Sequence, residues 1–120
     1  MPARTVGRIQ SGAAFAELQR SRARATCGSV RATFVPVDES VTGLYPQVGY
    51  AIGRNCGNAV VRNSLRRRMR VAVRVAAPDL PRGAYLLRVD RAAAASQPAQ
   101  FRASVSEALR RASRSARTAP

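Results

Sequence analysis

The chain has 120 residues, 46% of them hydrophobic, with no Trp or His, and 21 basic residues against six acidic ones give a formal net charge of +15. That length fits one domain with a modest core built mainly from Ala, Val and Leu. The missing His removes the commonest general base and a frequent metal ligand, and no window reaches the roughly 18 apolar residues of a membrane span.

In chain order, residues 1–10 read as an irregular basic arm, 11–114 as one folded domain and 115–120 as a disordered tail. Ser11 is placed to cap a short helix from about Gly12 to Arg22, with Phe15 and Leu18 on one face. "RSRARATCG" reads as a basic connection. "SVRATFVPV", residues 29–37, alternates as a half-buried strand does: Val30, Ala32 and Phe34 one way, Arg31 and Thr33 the other. A turn-rich loop, "DESVTGLYP", leads to "QVGYAIG", where Val48, Tyr50 and Ile52 share one face and Gly49, Ala51 and Gly53 the other. That second face is nearly bare, which fits either close approach of a ligand backbone or a tightly packed helix. A helix begins at "GNAVVRNSLRRRMR" and runs to about Ala77, where Pro78 stops it. "GAYLLRV", residues 83–89, is a third strand, and residues 90–97 a loop. Ser96 is expected to cap a last helix over 97–114, with Phe101, Val105, Leu109 and Ala112 as its buried stripe. The order α-β-β-α-β-α describes a small α+β sandwich.

All the basic residues are Arg, a bias complete enough to read as codon preference. The net charge says more: it calls for a polyanion, and nucleic acid fits better than a membrane surface, whose helices want bulky apolar residues scarce here. At 100° per residue the central helix splits into two arcs. Val61, Leu65, Met69, Ala72 and Ala76 face the sheet. Arg62, Asn63, Arg66, Arg67, Arg70 and Arg74 fill the opposite arc, while Arg68 lies beside the apolar stripe. Arg62, Arg66, Arg70 and Arg74 are consecutive i,i+4 neighbours that repel by a few tenths of a kcal/mol per pair, and no acid lies between residues 57 and 77. A solvated face intersperses acids, so this one reads as a phosphate-binding surface. Just upstream, Gly53, Arg54 and Gly57 make a strand-to-helix turn with Asn58 as N-cap, and such a turn can offer N–H groups to an anion. It lacks the Gly-Lys-Ser/Thr ending of a P-loop.

Cys27 and Cys56 fit no metal-binding spacing and read as reduced thiols. With no signal-peptide pattern at the N-terminus, the expected location is the cytoplasm. Of the acids, only Asp38 and Glu39 are neighbours. Two-metal hydrolysis needs clustered carboxylates, so no metal site and no catalytic residue is assigned to the protein, and any chemistry belongs to a partner. Composition alone also suits a ribosomal or other structural RNA-binding protein. A DNA-reading helix would want more Asn or Gln than Asn63 at its exposed N-terminal end.

Residues 48–70, "VGYAIGRNCGNAVVRNSLRRRMR", closely resemble the signature of the bacterial ribonuclease P protein subunit: an apolar strand leading into G-N-A-V-x-R-N-x-x-[KR]-R-x-x-R. Gly57, Asn58, Ala59, Val60, Arg62, Asn63, Arg66, Arg67 and Arg70 match. Size, charge and element order agree over about residues 8–112. The resemblance implies a small sandwich whose β-α-β unit crosses over left-handedly, against the usual rule. It implies partnership with a large catalytic RNA and with precursor tRNA, whose 5′ leader is removed with Mg²⁺ bound mainly by the RNA. No membrane and no obligate protein partner is implied. Arg54, Asn58, Arg62, Asn63, Arg66, Arg67, Arg70 and Arg74 would contact RNA. Phe15, Thr33, Gly49, Ala51 and Gly53 would line a cleft for the leader, Phe15 either stacking on a base or packing in the core. Ser64 stands where the family often has Arg, Gln19 where it often has a second aromatic, and Thr33 where an aromatic often faces the cleft.

Overall fold

The computed structural model describes residues 6–9, 12–36 and 46–118. Its elements are β1 (Gly7–Arg8), α1 (Gly12–Arg20), β2 (Arg24–Cys27), β3 (Val30–Val35), β4 (Gln47–Ile52), α2 (Ala59–Ala76), β5 (Ala84–Val89) and α3 (Pro98–Thr118), with 3-10 turns at Arg54–Cys56, Ala77–Asp79 and Arg91–Ala95. The strands form one mixed sheet in the order β1-β4-β5-β3-β2. β4 runs parallel to β1 and to β5, and β3 runs antiparallel to β5 and to β2. Adjacent parallel strands need a crossover element, and between β4 and β5 that element is α2.

Strand alternation sorts the core onto two faces. Val30, Ala32 and Phe34 of β3, Val48 of β4 and Tyr85, Leu87 and Val89 of β5 pack beneath α2 and α3. There Phe34 and Tyr85 meet as a tilted ring pair, centroids 4.7 Å apart. α2 contributes Leu65, Met69, Ala72, Val73 and Ala76, and α3 contributes Phe101, Val105, Ala108, Leu109 and Ala112. The opposite face carries a smaller cluster of Ile9, Leu18, Val35, Ala84 and Leu86, covered by α1. In register, three rows cross that face: Gln47, Ala84 and Val35; then Gly49, Leu86, Thr33 and Arg24; then Ala51, Arg88, Arg31 and Thr26. α1 covers the first row and part of the second.

Several expectations are corrected. "RSRARATCG" is not only a connection: Arg24–Cys27 is an edge strand paired with Val30–Thr33 through the tight turn at Gly28 and Ser29, where Gly28 takes φ +58°. Arg24 and Thr26 are exposed while Ala25 and Cys27 are half-buried, so the alternation was present but only four residues long, with Thr26 its one strong strand former. The basic arm contributes Gly7–Arg8, paired with Gln47–Val48. The first helix ends at Arg20, two residues early. Residues 90–97 contain a 3-10 turn capped by Asp90, whose carboxylate accepts from the Ala92 N–H at 2.8 Å. Ser96 does not cap the last helix: its hydroxyl donates back to the Ala92 carbonyl, and the Gln97 carbonyl accepts from Phe101. That helix continues to Thr118, into the stretch expected as a tail. Ser11 and all but the last residue of the expected 38–46 loop, with Asp38 and Glu39, lie outside the described residues.

The entry into α2 is built locally. The turn Arg54–Cys56 buries Cys56, whose thiol lies 3.6 Å from the Val89 carbonyl. Gly57 then takes φ +138°, a conformation other residues rarely adopt. Asn58 caps the helix, its Oδ1 accepting from the Val61 N–H at 3.0 Å. A Cβ on Gly57 would stand 2.8 Å from the Val61 side chain. Gly57→Ala is therefore expected to cost about 1–3 kcal/mol in thermal melting; an unchanged melting temperature would show that the turn relaxes freely. Leu65→Ala, at a side chain 1% exposed, should cost about 2–5 kcal/mol in urea unfolding, whereas Val60→Ala, at 76% exposure, should stay within about 0.5 kcal/mol. Equal effects would contradict the packing of α2.

Candidate nucleic-acid interface

α2 presents its arginines because its other side is fixed. Leu65, Met69, Ala72, Val73 and Ala76 are buried against the sheet and α3, and Val61 is half-buried beside them. Burying that stripe sets the rotation of the helix, and with it the direction of every other side chain. Asn63, Arg67, Arg70 and Arg74 are exposed as expected. Arg62 and Arg66 are half-buried, because at 100° per residue they sit on the flank rather than the crest. The arc opposite the core is also not wholly basic: Val60 and Val75 are 76% and 74% exposed and Val71 is 43% exposed. These valines lie on the flank away from the Arg62-Arg66-Arg70 row.

The row has a defined environment. Arg70 lies over the Tyr50 ring of β4, its guanidinium carbon 5.9 Å from the centroid. Burial raises the Tyr50 phenol above its ordinary ionisation range, while the positive charges of Arg70 and then Arg74 act the other way. Asn63 accepts from the Arg66 guanidinium at 3.2 Å, so the first Asn of the R-N-x-x-R spacing orients the Arg three residues on. Arg62 Nε is enclosed with no acceptor, the sole such side-chain nitrogen or oxygen among the described residues. No α2 arginine forms an ion pair with a described residue; Glu107, the one acid in α3, pairs with Arg110 and Arg111 of its own helix.

The other sequence-expected residues fall into two groups. Arg54 and Asn58 are exposed at the α2 N-terminus, and Asn58 has its side-chain oxygen committed to the cap, so its amide N–H₂ is what remains for a ligand. Thr33 is buried on the α1 face, whereas its neighbour Phe34 points into the α2/α3 core, which settles the register of that strand. Gly49 and Ala51 lie half-exposed on the same face as Thr33, and Gly53 is exposed beyond them. Among the described residues α1 packs over β3 and β5, while Gly49 and Ala51 of β4 stay half-exposed beside it, so the bare strip is neither sealed nor fully open. Phe15 belongs to α1; its side chain lies outside the described residues. Sequence reading passed over Arg31 and Arg88, which stand opposite each other in the third row of this face. The alternation that assigned Arg31 to the non-core face was the available signal, but pairing with Arg88 needed the sheet order.

Among the described residues no three of His, Cys, Asp and Glu gather as a metal-binding group, and no helix is long and apolar enough to cross a membrane.

Comparison with known proteins places this geometry. A family model described as ribonuclease P matches residues 4–113. The ribonuclease P protein component of Symbiobacterium thermophilum is 41% identical over 83 residues, covering 68% of this chain and 72% of that protein. The corresponding protein of a Nocardioides species is 35% identical over 80 residues, covering 67% and 68%. Among solved structures, a mutant of the Staphylococcus aureus RNase P protein superposes with a TM-score of 0.74 at 18% identity, over 86% of this chain and 85% of that one. Another structure of the S. aureus protein gives a TM-score of 0.69 at 17% identity, over 86% and 92%. The fold is shared at identities where sequence alone is nearly silent, the Symbiobacterium and Nocardioides proteins match over more than two thirds of their length, the family model spans most of the chain, and the chain belongs to the ribonuclease P protein family.

Proposed function

We propose that this chain binds the catalytic RNA subunit of ribonuclease P through the arginine face of α2 and the 5′ leader of precursor tRNA through the sheet face under α1, and that leader removal is carried out by the RNA. The observation that carries the reading is the row Arg62, Arg66, Arg70 and Arg74, held in place by the buried stripe on the same helix and given no acidic partner by the described residues. Repulsion along the row is relieved when phosphates supply the missing negative charge. Arg54, Asn58, Asn63 and Arg67 extend this surface around the helix N-terminus. Gly49, Ala51 and Gly53 form the floor over which the leader passes, bounded by α1, which carries Phe15, while Thr33 is buried beneath that helix and supports the floor from its edge.

The role of the chain is binding and positioning. Mg²⁺, which would support hydrolysis by activating water and neutralising phosphate charge, is assigned to the RNA. Among the described residues no three of His, Cys, Asp and Glu gather as a metal-binding group, Glu107 is engaged with two arginines and Asp90 caps a turn. What the protein supplies is positive charge and shape, lowering the ionic strength needed to hold two polyanions together.

Reconstitution with a bacterial ribonuclease P RNA at low Mg²⁺ should stimulate precursor-tRNA cleavage over RNA alone; absence of stimulation would overturn the proposal. Replacing Arg66 and Arg70 by Ala should leave the circular dichroism spectrum intact and flatten the dependence of log K on log salt by about one unit per lost phosphate contact. An unchanged slope would show that these arginines do not touch phosphate.

A further inference from the structure

Resting on the leader reading above, we propose that Arg31 and Arg88 form a phosphate clamp that holds the single-stranded leader by its backbone, independently of base identity. The two arginines are directly opposed across the β3–β5 ladder, both exposed, on the face away from α2 and α3. Side chains directly opposed on adjacent strands lie about 5 Å apart at Cβ, and like charges there destabilise the sheet. Nothing in their row offsets that: Ala51 flanks Arg88 and Thr26 flanks Arg31. Neither guanidinium has a hydrogen-bond or ion-pair partner among the described residues. Arg24, one row back, differs: its guanidinium donates to the carbonyls of Ser21 and Gln19, each at 2.9 Å, and fastens β2 to the end of α1. Arg24 thus has a structural task, while Arg31 and Arg88 hold two free forks shaped for phosphate oxygens.

The surroundings favour backbone over base. Tyr50, Tyr85 and Phe34 belong to the helix-packed face, so the described side chains of the Arg31–Arg88 row and its flanks include no aromatic on which a base could stack; Phe15 belongs to α1, which covers the rows further along the sheet. Small residues beside the pair leave the strand room to approach, and the row leads through Ala51 to Gly53 and Arg54 at the start of the α2 surface. An extended polyanion fits that path; readout of base edges has few groups to work with there.

The test uses holoenzyme reconstituted with its RNA, precursor tRNAs carrying all-A, all-U or all-C leaders, and leaderless tRNA. Wild type should bind the three leaders within about threefold of one another. The double variant Arg31→Gln, Arg88→Gln should lose about tenfold in affinity for every leader alike, with the salt slope falling by about two and leaderless tRNA bound as before. Its thermal stability should hold or rise, since like-charge repulsion is removed. Loss confined to one leader, equal loss on leaderless tRNA, or no loss at all would overturn the clamp. If the wild-type holoenzyme itself binds leaderless and leader-bearing tRNA equally, the leader reading fails along with it; if wild type keeps its leader preference and the double variant shares it, only the clamp fails.

Discussion

The arginine surface of α2 depends on how that helix is seated. Leu65, Met69, Ala72, Val73 and Ala76 lie between the sheet and α3, and a helix has no freedom to rotate once such a stripe is buried. The arginines take the remaining directions. The entry to the helix is equally determined, since Gly57 adopts φ +138° and Asn58 caps Val61. Residues of the G-N-A-V-V-R-N string therefore divide their labour: Gly57, Asn58 and Val61 build the turn and seat the helix, while Arg62 and Asn63 begin the surface. A motif that looks like a binding signature is in large part a folding instruction.

The seating also explains why so basic a chain folds around a core of modest side chains. Charge is kept off the buried faces, and neither Glu107, which serves α3, nor Asp90, which caps a turn, neutralises the α2 row. Two exposed arginine groups stand without acidic partners among the described residues, the α2 row and the Arg31–Arg88 row of the sheet. Self-repulsion of this kind lowers the stability of the free protein and raises its affinity for a polyanion.

Legibility in the sequence followed the strength of the local pattern. β3, β4, β5 and α3 were readable because each repeats its apolar residues over six or more positions, and the α2 stripe emerged from a 3.6-residue period. β2 and β1 escaped because four and two residues are too few to establish alternation, and because their stability comes from partners that only the assembled sheet provides. The half-burial of Arg62 and Arg66 was a matter of degree: the helical wheel put them in the polar arc, and only the packed sheet showed that they sit on its flank. The exposed valines on the other flank were unexpected for the same reason. Ser96 was misread as a cap since a Ser before Pro satisfies the local rule, yet its hydroxyl had a nearer acceptor in Ala92. Of the residues proposed to face RNA, the sequence order showed those on one helix; Arg31 and Arg88, distant in sequence and joined by strand pairing, required the fold.

The central claim is that the sorted arginines exist for one structured RNA rather than for polyanions at large. Sequencing the RNA that co-purifies with the protein from its native cell tests this most directly. The account predicts one discrete, folded RNA that cleaves precursor tRNA when supplied with Mg²⁺. A population dominated by ribosomal RNA, or a mixture without a prevailing species, would contradict it.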